Sequence, residues 1–169
     1  MEDDLAEFCR QERRRLVAAL VLMCGSLPMA EDLAQETLAR VCRDWKRIRR
    51  LEAPGAYAHR VAVNLATSAF RRRAAERRAS ARLDPPAHAA PEPDSATAIA
   101  VRDALQRLRP EQRKVLVLRY FLGYSVADTA NVLTMPEGTV KTHALRGLST
   151  LRGILGTSVT AADMEVRGA

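Results

Sequence analysis

A chain of 169 residues, 47% apolar and 4% aromatic, has room for one domain or two small ones around a core of Leu, Val and Ala. No apolar run reaches the ~20 residues that span a bilayer, and the longest, Leu16–Cys24, follows an acidic start that does not read as a signal peptide. A soluble, cytoplasmic protein with no membrane insertion is expected, and its net charge of +7 points to a polyanionic partner. Ala, Leu, Arg and Glu favour helix while β-branched runs are scarce, so the predicted fold class is all-α.

Residues 3–24 read as a first helix with Leu5, Phe8, Leu16, Leu20 and Met23 along one face. Gly25-Ser26-Leu27-Pro28 is expected to break it. A second helix is predicted from about Met29 to Arg47, with Ala34, Leu38, Val41, Trp45 and Ile48 spaced four, three, four and three apart. Asp32, Gln35, Glu36 and Arg43 share its opposite face. Neither a histidine nor a second acidic cluster accompanies Glu31, Asp32 and Glu36, so an exposed acidic first turn is a simpler reading than a metal or acid–base site. Cys9, Cys24 and Cys42 lie among apolar residues with no Cys-x-x-Cys pair, and read as buried free thiols in a reducing compartment. No metal and no cofactor is expected.

Arg47–Glu52 reads as a basic loop, and Pro54 suits the first turn of a third helix. Ala58, Val61, Ala62, Leu65 and Ala69 are expected to bury one side of it. His59, Arg60, Asn64, Thr67 and Arg71 populate the other, and Arg71-Arg72-Arg73 extends it as a charged ridge. A side-chain amide such as that of Asn64 can pair with a base edge while neighbouring arginines hold the backbone. Residues 83–94 hold four of the eight prolines and read as an extended linker. Two further helices, Ala98–Leu108 and Glu111–Leu122, follow.

Ser125–Arg152 is the most informative stretch. Ser125 can cap a short helix with Val126, Ala130 and Leu133 on one face, and Pro136 suits the start of a second. That second helix buries Val140, Ala144, Leu148, Leu151 and Leu155. Thr139, Lys141, Thr142, His143 and Arg146 lie on its other side, with no acid between Gly138 and Arg152. Short helix, tight turn and basic outer face together make a helix-turn-helix DNA reader, against the plainer reading of a helical hairpin in a bundle. Charge supports nucleic acid as the partner: residues 1–39 sum to −4, residues 40–82 to +10 and residues 83–169 to +1. The acidic start faces something else.

The run Ala30-Glu31-Asp32-Leu33-Ala34-Gln35-Glu36-Thr37-Leu38, continued by Ala56–Ala66, resembles the second conserved region of bacterial sigma factors. Leu108-Arg109-Pro110-Glu111-Gln112-Arg113 and Gly138-Thr139-Val140-Lys141-Thr142 resemble the fourth. With only these two regions, the chain resembles the extracytoplasmic-function (ECF) class. The implied organisation is a region-2-like domain at 1–82, a linker at 83–94, a region-4-like domain at 95–156 and a tail at 157–169.

The resemblance implies that the protein is not an enzyme but brings core RNA polymerase to promoter DNA. Asp32, Gln35 and Glu36 would dock on the clamp helices of the polymerase β′ subunit, with further contacts to the β subunit. The loop with Arg47, Arg49 and Arg50, together with Tyr57, Arg60 and Asn64, would read and trap a flipped base of the −10 element. Arg71, Arg72 and Arg73 would hold the strand backbone. Lys141, Thr142, His143 and Arg146 would reach the −35 element, with Thr139 near a phosphate. An anti-sigma factor is an expected further partner. Tyr57 stands where the family often has Trp, Thr142-His143 where Ser-Arg is common and Ala144 where Leu is usual, which bears on the −35 sequence read. A stand-alone helix-turn-helix regulator would leave Asp32–Glu36 and Asn64 unexplained. A small helical enzyme or metal protein would lack ligand-spaced His and Cys.

Overall fold

In the computed structural model the backbone is described for residues 2–79 and 96–156, and side chains for 4–76 and 98–156. The expected linker at 83–94 and tail at 157–169 lie outside the described residues. Every regular element among those described is helical.

The first half is built on α1 (Glu2–Cys24), α2 (Leu27–Arg43), the single turn α3 (Trp45–Ile48) and α4 (Pro54–Ala79). Leu16, Leu20 and Val21 of α1 meet Met29, Ala30, Leu33 and Ala34 of α2 and Ala62, Ala66 and Ala69 of α4. Alanines on α4 keep its approach close, and the larger side chains come from α1 and α2. A second cluster joins Val41, Trp45, Ile48 and Ala58, with Leu5, Phe8 and Tyr57 packed against it.

The expected break at 25–28 is shorter than the sequence implies. Gly25 turns the chain at φ +72°, Ser26 stands at the N-cap of α2 and Pro28 already falls in its first turn. The expected continuous helix to Arg47 instead ends at Arg43. Asp44 leaves helical geometry and α3 restarts at Trp45, which lets Trp45 and Ile48 turn into the core beside Phe8, 4.9 Å between the Phe8 and Trp45 ring centroids. Arg47 is therefore helical, and the loop proper follows it.

The second half comprises α5 (Ala96–Gln106), α6 (Pro110–Leu116), a π-helical turn at Val117–Phe121, α7 (Val126–Leu133) and α8 (Glu137–Leu155). Pro110 opens α6, where a missing N–H has no helical partner to lose. The wide turn is marked by the Leu122 N–H donating to the Val117 carbonyl at 3.0 Å, and Gly123 closes it at φ +73°. Ser125 caps α7, accepting from the Asp128 N–H at 3.0 Å while its hydroxyl donates to the Asp128 carboxylate at 2.6 Å. Thr134 takes the left-handed conformation at φ +54° and turns the chain into α8, with Pro136 at the N-cap rather than inside the helix. Gly147 lets α8 settle on α6, since a Cβ there would stand 3.0 Å from Leu116.

The halves share a core. Ala19 and Met23 of α1 and Val63 of α4 pack with Val117, Leu118 and Leu122 of the π turn and its end, and with Val132 of α7. The buried side of α4 is accordingly wider than predicted, taking in His59, Val63 and Ala66 as well as the alanine stripe. His59, expected on the polar face, is 3% exposed. It is covered because that face meets the second half of the chain, not solvent.

Candidate polymerase and nucleic-acid interfaces

The buried side of α2 (Met29, Ala30, Leu33, Ala34, Thr37 and Val41) leaves Asp32, Gln35 and Glu36 together on its outer side, all exposed. The Thr37 hydroxyl donates to the Leu33 carbonyl at 2.7 Å, so even this buried polar group is satisfied locally. Glu36 accepts from Arg40 Nε at 2.8 Å across one helical turn, an exposed pair that orients the carboxylate more than it stabilises the helix.

Around α3 and the turn after it the arginines are exposed, and two of them meet a neighbouring side chain. Arg47 donates to the Tyr57 hydroxyl at 3.1 Å and lies 5.2 Å from the ring centroid, so the tyrosine face and the guanidinium form one plate. Arg49 lies 3.8 Å from Asp4, and Arg50 points outward. Farther along α4, Arg60, Asn64, Arg71, Arg72 and Arg73 are exposed. Tyr57, Arg60, Asn64 and Arg71 share one side of α4, whereas Arg72 and Arg73 fan round the helix and Arg73 faces a cleft lined by Met23, Cys24, Ala66, Phe70 and Arg113. A basic strip with a ring and an amide can hold phosphates, stack a base and read its edge.

On α8, Val140 and Leu151 are buried and Lys141, Thr142 and Arg146 are exposed. The Thr142 hydroxyl donates to the Gly138 carbonyl at 2.9 Å, so it meets a ligand as an acceptor. Thr139 is half-buried. So is His143, whose Nδ1 is closed off from solvent, so only its other edge remains for a ligand. Leu145, absent from the expected readers, is 70% exposed beside Thr142 and Arg146. An apolar residue on the basic side of α8 was the signal available for it.

Between the halves lies a polar seam that periodicity does not reveal. His59 Nδ1 and the Tyr124 hydroxyl are 2.5 Å apart, and His59 Nε2 faces the Glu12 carboxylate at 3.4 Å. The His59 ring holds the Glu12 carboxyl below the usual carboxylate range against the opposing effect of burial, and burial pushes the Tyr124 hydroxyl up to about 12. Tyr124 and His59 Nδ1 share the one short hydrogen bond of the seam, whereas His59 Nε2 and the Glu12 oxygen facing it are buried and make no hydrogen bond. Nearby, Arg113 donates to the Met23 carbonyl at 2.7 Å, to Gln106 Oε1 at 2.6 Å, and to the Gln106 and Leu108 carbonyls at 2.9 and 3.2 Å. Gln106 in turn donates to the Leu22 carbonyl at 2.8 Å, closing over Gly25 where a Cβ would stand 2.8 Å from it. Lys114 reaches Thr67 at 3.4 Å.

Residues 8–76 match the family described as Sigma-70 region 2, and residues 98–151 match Sigma-70, region 4. The chain is 35% identical over 165 residues to the RNA polymerase sigma-E factor of Streptomyces coelicolor, covering 97% of this chain and 90% of that one. It is 34% identical over 162 residues to the ECF RNA polymerase sigma factor SigM of Mycobacterium tuberculosis, covering 94% and 81%. Its fold is similar to that of the sigma factor RpoE solved with the anti-sigma factor NepR from Bartonella quintana. That likeness has a TM-score of 0.81 at 22% identity, over 92% of this chain and 99% of that one. CnrH, solved with the cytosolic domain of CnrY, is similar at a TM-score of 0.69 and 18% identity, over 94% and 92%.

Two helical halves, the second carrying a helix-turn-helix, and two matched regions in this order define a transcription initiation factor of the sigma-70 type. The chain belongs to the ECF class of RNA polymerase sigma factors. It is an alternative sigma factor that binds core RNA polymerase and directs promoter recognition for transcription initiation.

Proposed function

We propose that the three exposed groups divide the work of initiation. Asp32, Gln35 and Glu36 dock on the β′ clamp helices, and other parts of the chain meet the β subunit. Arg47, Arg49, Arg50, Tyr57, Arg60 and Asn64 capture an unstacked base of the −10 element, and Arg71, Arg72 and Arg73 hold the strand. Opening costs a few kcal/mol per unstacked base, which stacking on Tyr57 and amide pairing by Asn64 offset.

Lys141, Thr142 and Arg146 enter the major groove at the −35 element, with Thr139 and His143 nearer the edge. Leu145 supplies an apolar surface of the kind that meets a thymine methyl. The protein does no chemistry of its own; the polymerase does it, in the cytoplasm. An anti-sigma factor belongs to the same reading, because a solved sigma factor of similar fold, RpoE, was captured with one.

The observation that supports this assignment most directly is that Asp32, Gln35, Glu36, Asn64, Lys141 and Arg146 are all exposed while the two halves are packed together. Promoter opening tests it. Asn64→Ala in holoenzyme should leave polymerase binding intact and lower the yield of open complex, read by the permanganate reactivity of −10 thymines. Undiminished reactivity would remove Asn64 from the reader.

A further inference from the structure

Cys9 on α1 and Cys42 near the end of α2 bring their sulfurs within 3.8 Å, and both are free thiols. Cys9 is half-buried and Cys42 is exposed, so the expected set of buried thiols is corrected here: Cys42 lies on the outward side of the last turn of α2, which ends at Arg43, while its neighbour Val41 points into the core. The two cysteines flank a packed joint. Cys9 follows Phe8, Cys42 follows Val41, and Phe8, Val41 and Trp45 form one cluster with Tyr57 against it.

We propose that Cys9 and Cys42 are a peroxide-sensitive dithiol that closes to an intramolecular disulfide, fastening α1 to α2 at the foot of the Trp45 cluster. The sulfurs are in van der Waals contact and must approach by only about 1.8 Å to reach bonding distance. Among the described residues no group of three or more His, Cys, Asp or Glu is placed to hold a metal ion, so the pair stands as a dithiol rather than part of a metal site.

Exposure assigns the roles. The Cys42 thiolate attacks hydrogen peroxide: a sulfur–oxygen bond forms, the oxygen–oxygen bond breaks, and hydroxide leaves to take up the proton Cys42 released. Cys9 then attacks the sulfenic sulfur, forming the sulfur–sulfur bond and expelling hydroxide, which takes the Cys9 proton. Two thiols and one peroxide become one disulfide and two waters. Burial, with Cys42 beside it, pushes the Cys9 thiol up to about 11, which makes it the poorer first nucleophile, and its contact with the Cys42 sulfur is what places it for the second step. Cys24, half-buried and pushed up to about 12 by burial, stays out of this chemistry.

The test is alkylation counting on the full-length chain by mass spectrometry, with the folded protein treated or not treated with hydrogen peroxide, the peroxide removed and the chain then denatured for alkylation. The reduced protein carries three cysteines and should take three adducts. After peroxide it should take one, at Cys24, with an intact-mass loss of about 2 Da, monomeric migration without reductant and full reversal by dithiothreitol. Cys9→Ser should instead leave a dimedone-reactive sulfenic acid on Cys42, while Cys42→Ser should keep Cys9 reduced under the same dose. The disulfide form should also melt several degrees higher than the reduced form, because the cross-link constrains the unfolded chain. Three adducts after peroxide would overturn the proposal. So would a disulfide between two molecules, or Cys9→Ser and wild type losing adducts alike.

Discussion

His59 Nδ1 and the Tyr124 hydroxyl stand 2.5 Å apart across the junction of the two sigma regions, 65 positions apart in the chain. Glu12 completes the seam from α1. Removing the ring by His59→Ala leaves a buried carboxylate and a tyrosine hydroxyl without their partner, a change that costs about 1–3 kcal/mol. The loss falls on the contact between halves, so the variant should show a larger radius of gyration by small-angle scattering with unchanged helicity. An unchanged radius with lowered helicity would place His59 in the core of the first half alone.

The same seam sets an alkaline limit. Tyrosine in an unfolded chain titrates near ~10, and burial raises Tyr124 to about 12. The stability contributed by the neutral hydroxyl is fully present below the unfolded value and is lost as pH rises through the folded one. Tyr124→Phe removes that share, so its denaturation midpoint should fall less steeply than that of wild type between about pH 10 and 12. Cys24 contributes to both curves and cancels in the comparison. Parallel curves would show that Tyr124 ionises freely.

Arg113 binds four carbonyl oxygens, from α1, from Gln106 and from the turn before α6. Arg113→Met keeps much of the apolar stem but leaves those acceptors unpaired. A loss of about 2–4 kcal/mol is expected in urea denaturation, since hydrogen bonds to a charged donor are among the stronger ones. A loss below about 0.5 kcal/mol would mean that water replaces the guanidinium without penalty.

The apolar periods of α2 and α8 were legible in the sequence because each helix presents a stripe to a nearby partner, and period reports such one-sided burial directly. Ser125 and Pro136 marked the starts of α7 and α8 within a residue. The end of α2 was harder to see, because Trp45 and Ile48 continue the spacing of Val41 through the break at Asp44. His59 was misread for a different reason: its partners Tyr124 and Glu12 come from distant positions, and a helix period does not tell a solvent-facing polar stripe from one facing another domain. The proximity of Cys9 to Cys42 depends on how α1 crosses α2, which neither helix states alone.

Arg146 projects from α8 with Thr142 and Leu145 beside it, free of any acidic neighbour on that helix. Arg146→Ala should weaken binding to a −35 element by about 1–3 kcal/mol and relax its base preference, as expected for a side chain that reads a base edge. Assembly with polymerase should be unaffected, as checked by fluorescence anisotropy on promoter fragments at fixed salt. A uniform loss on all sequences would instead make Arg146 a phosphate contact.

The most direct measurement is a titration of the full chain against bacterial core RNA polymerase, with a Gln35→Ala, Glu36→Ala double variant alongside. Both side chains lie on the exposed side of α2, so the variant should keep its helicity and melting temperature while its affinity falls at least tenfold, about 1.4 kcal/mol. A folded double variant that binds core polymerase as tightly as wild type would contradict the assignment of this face to the polymerase.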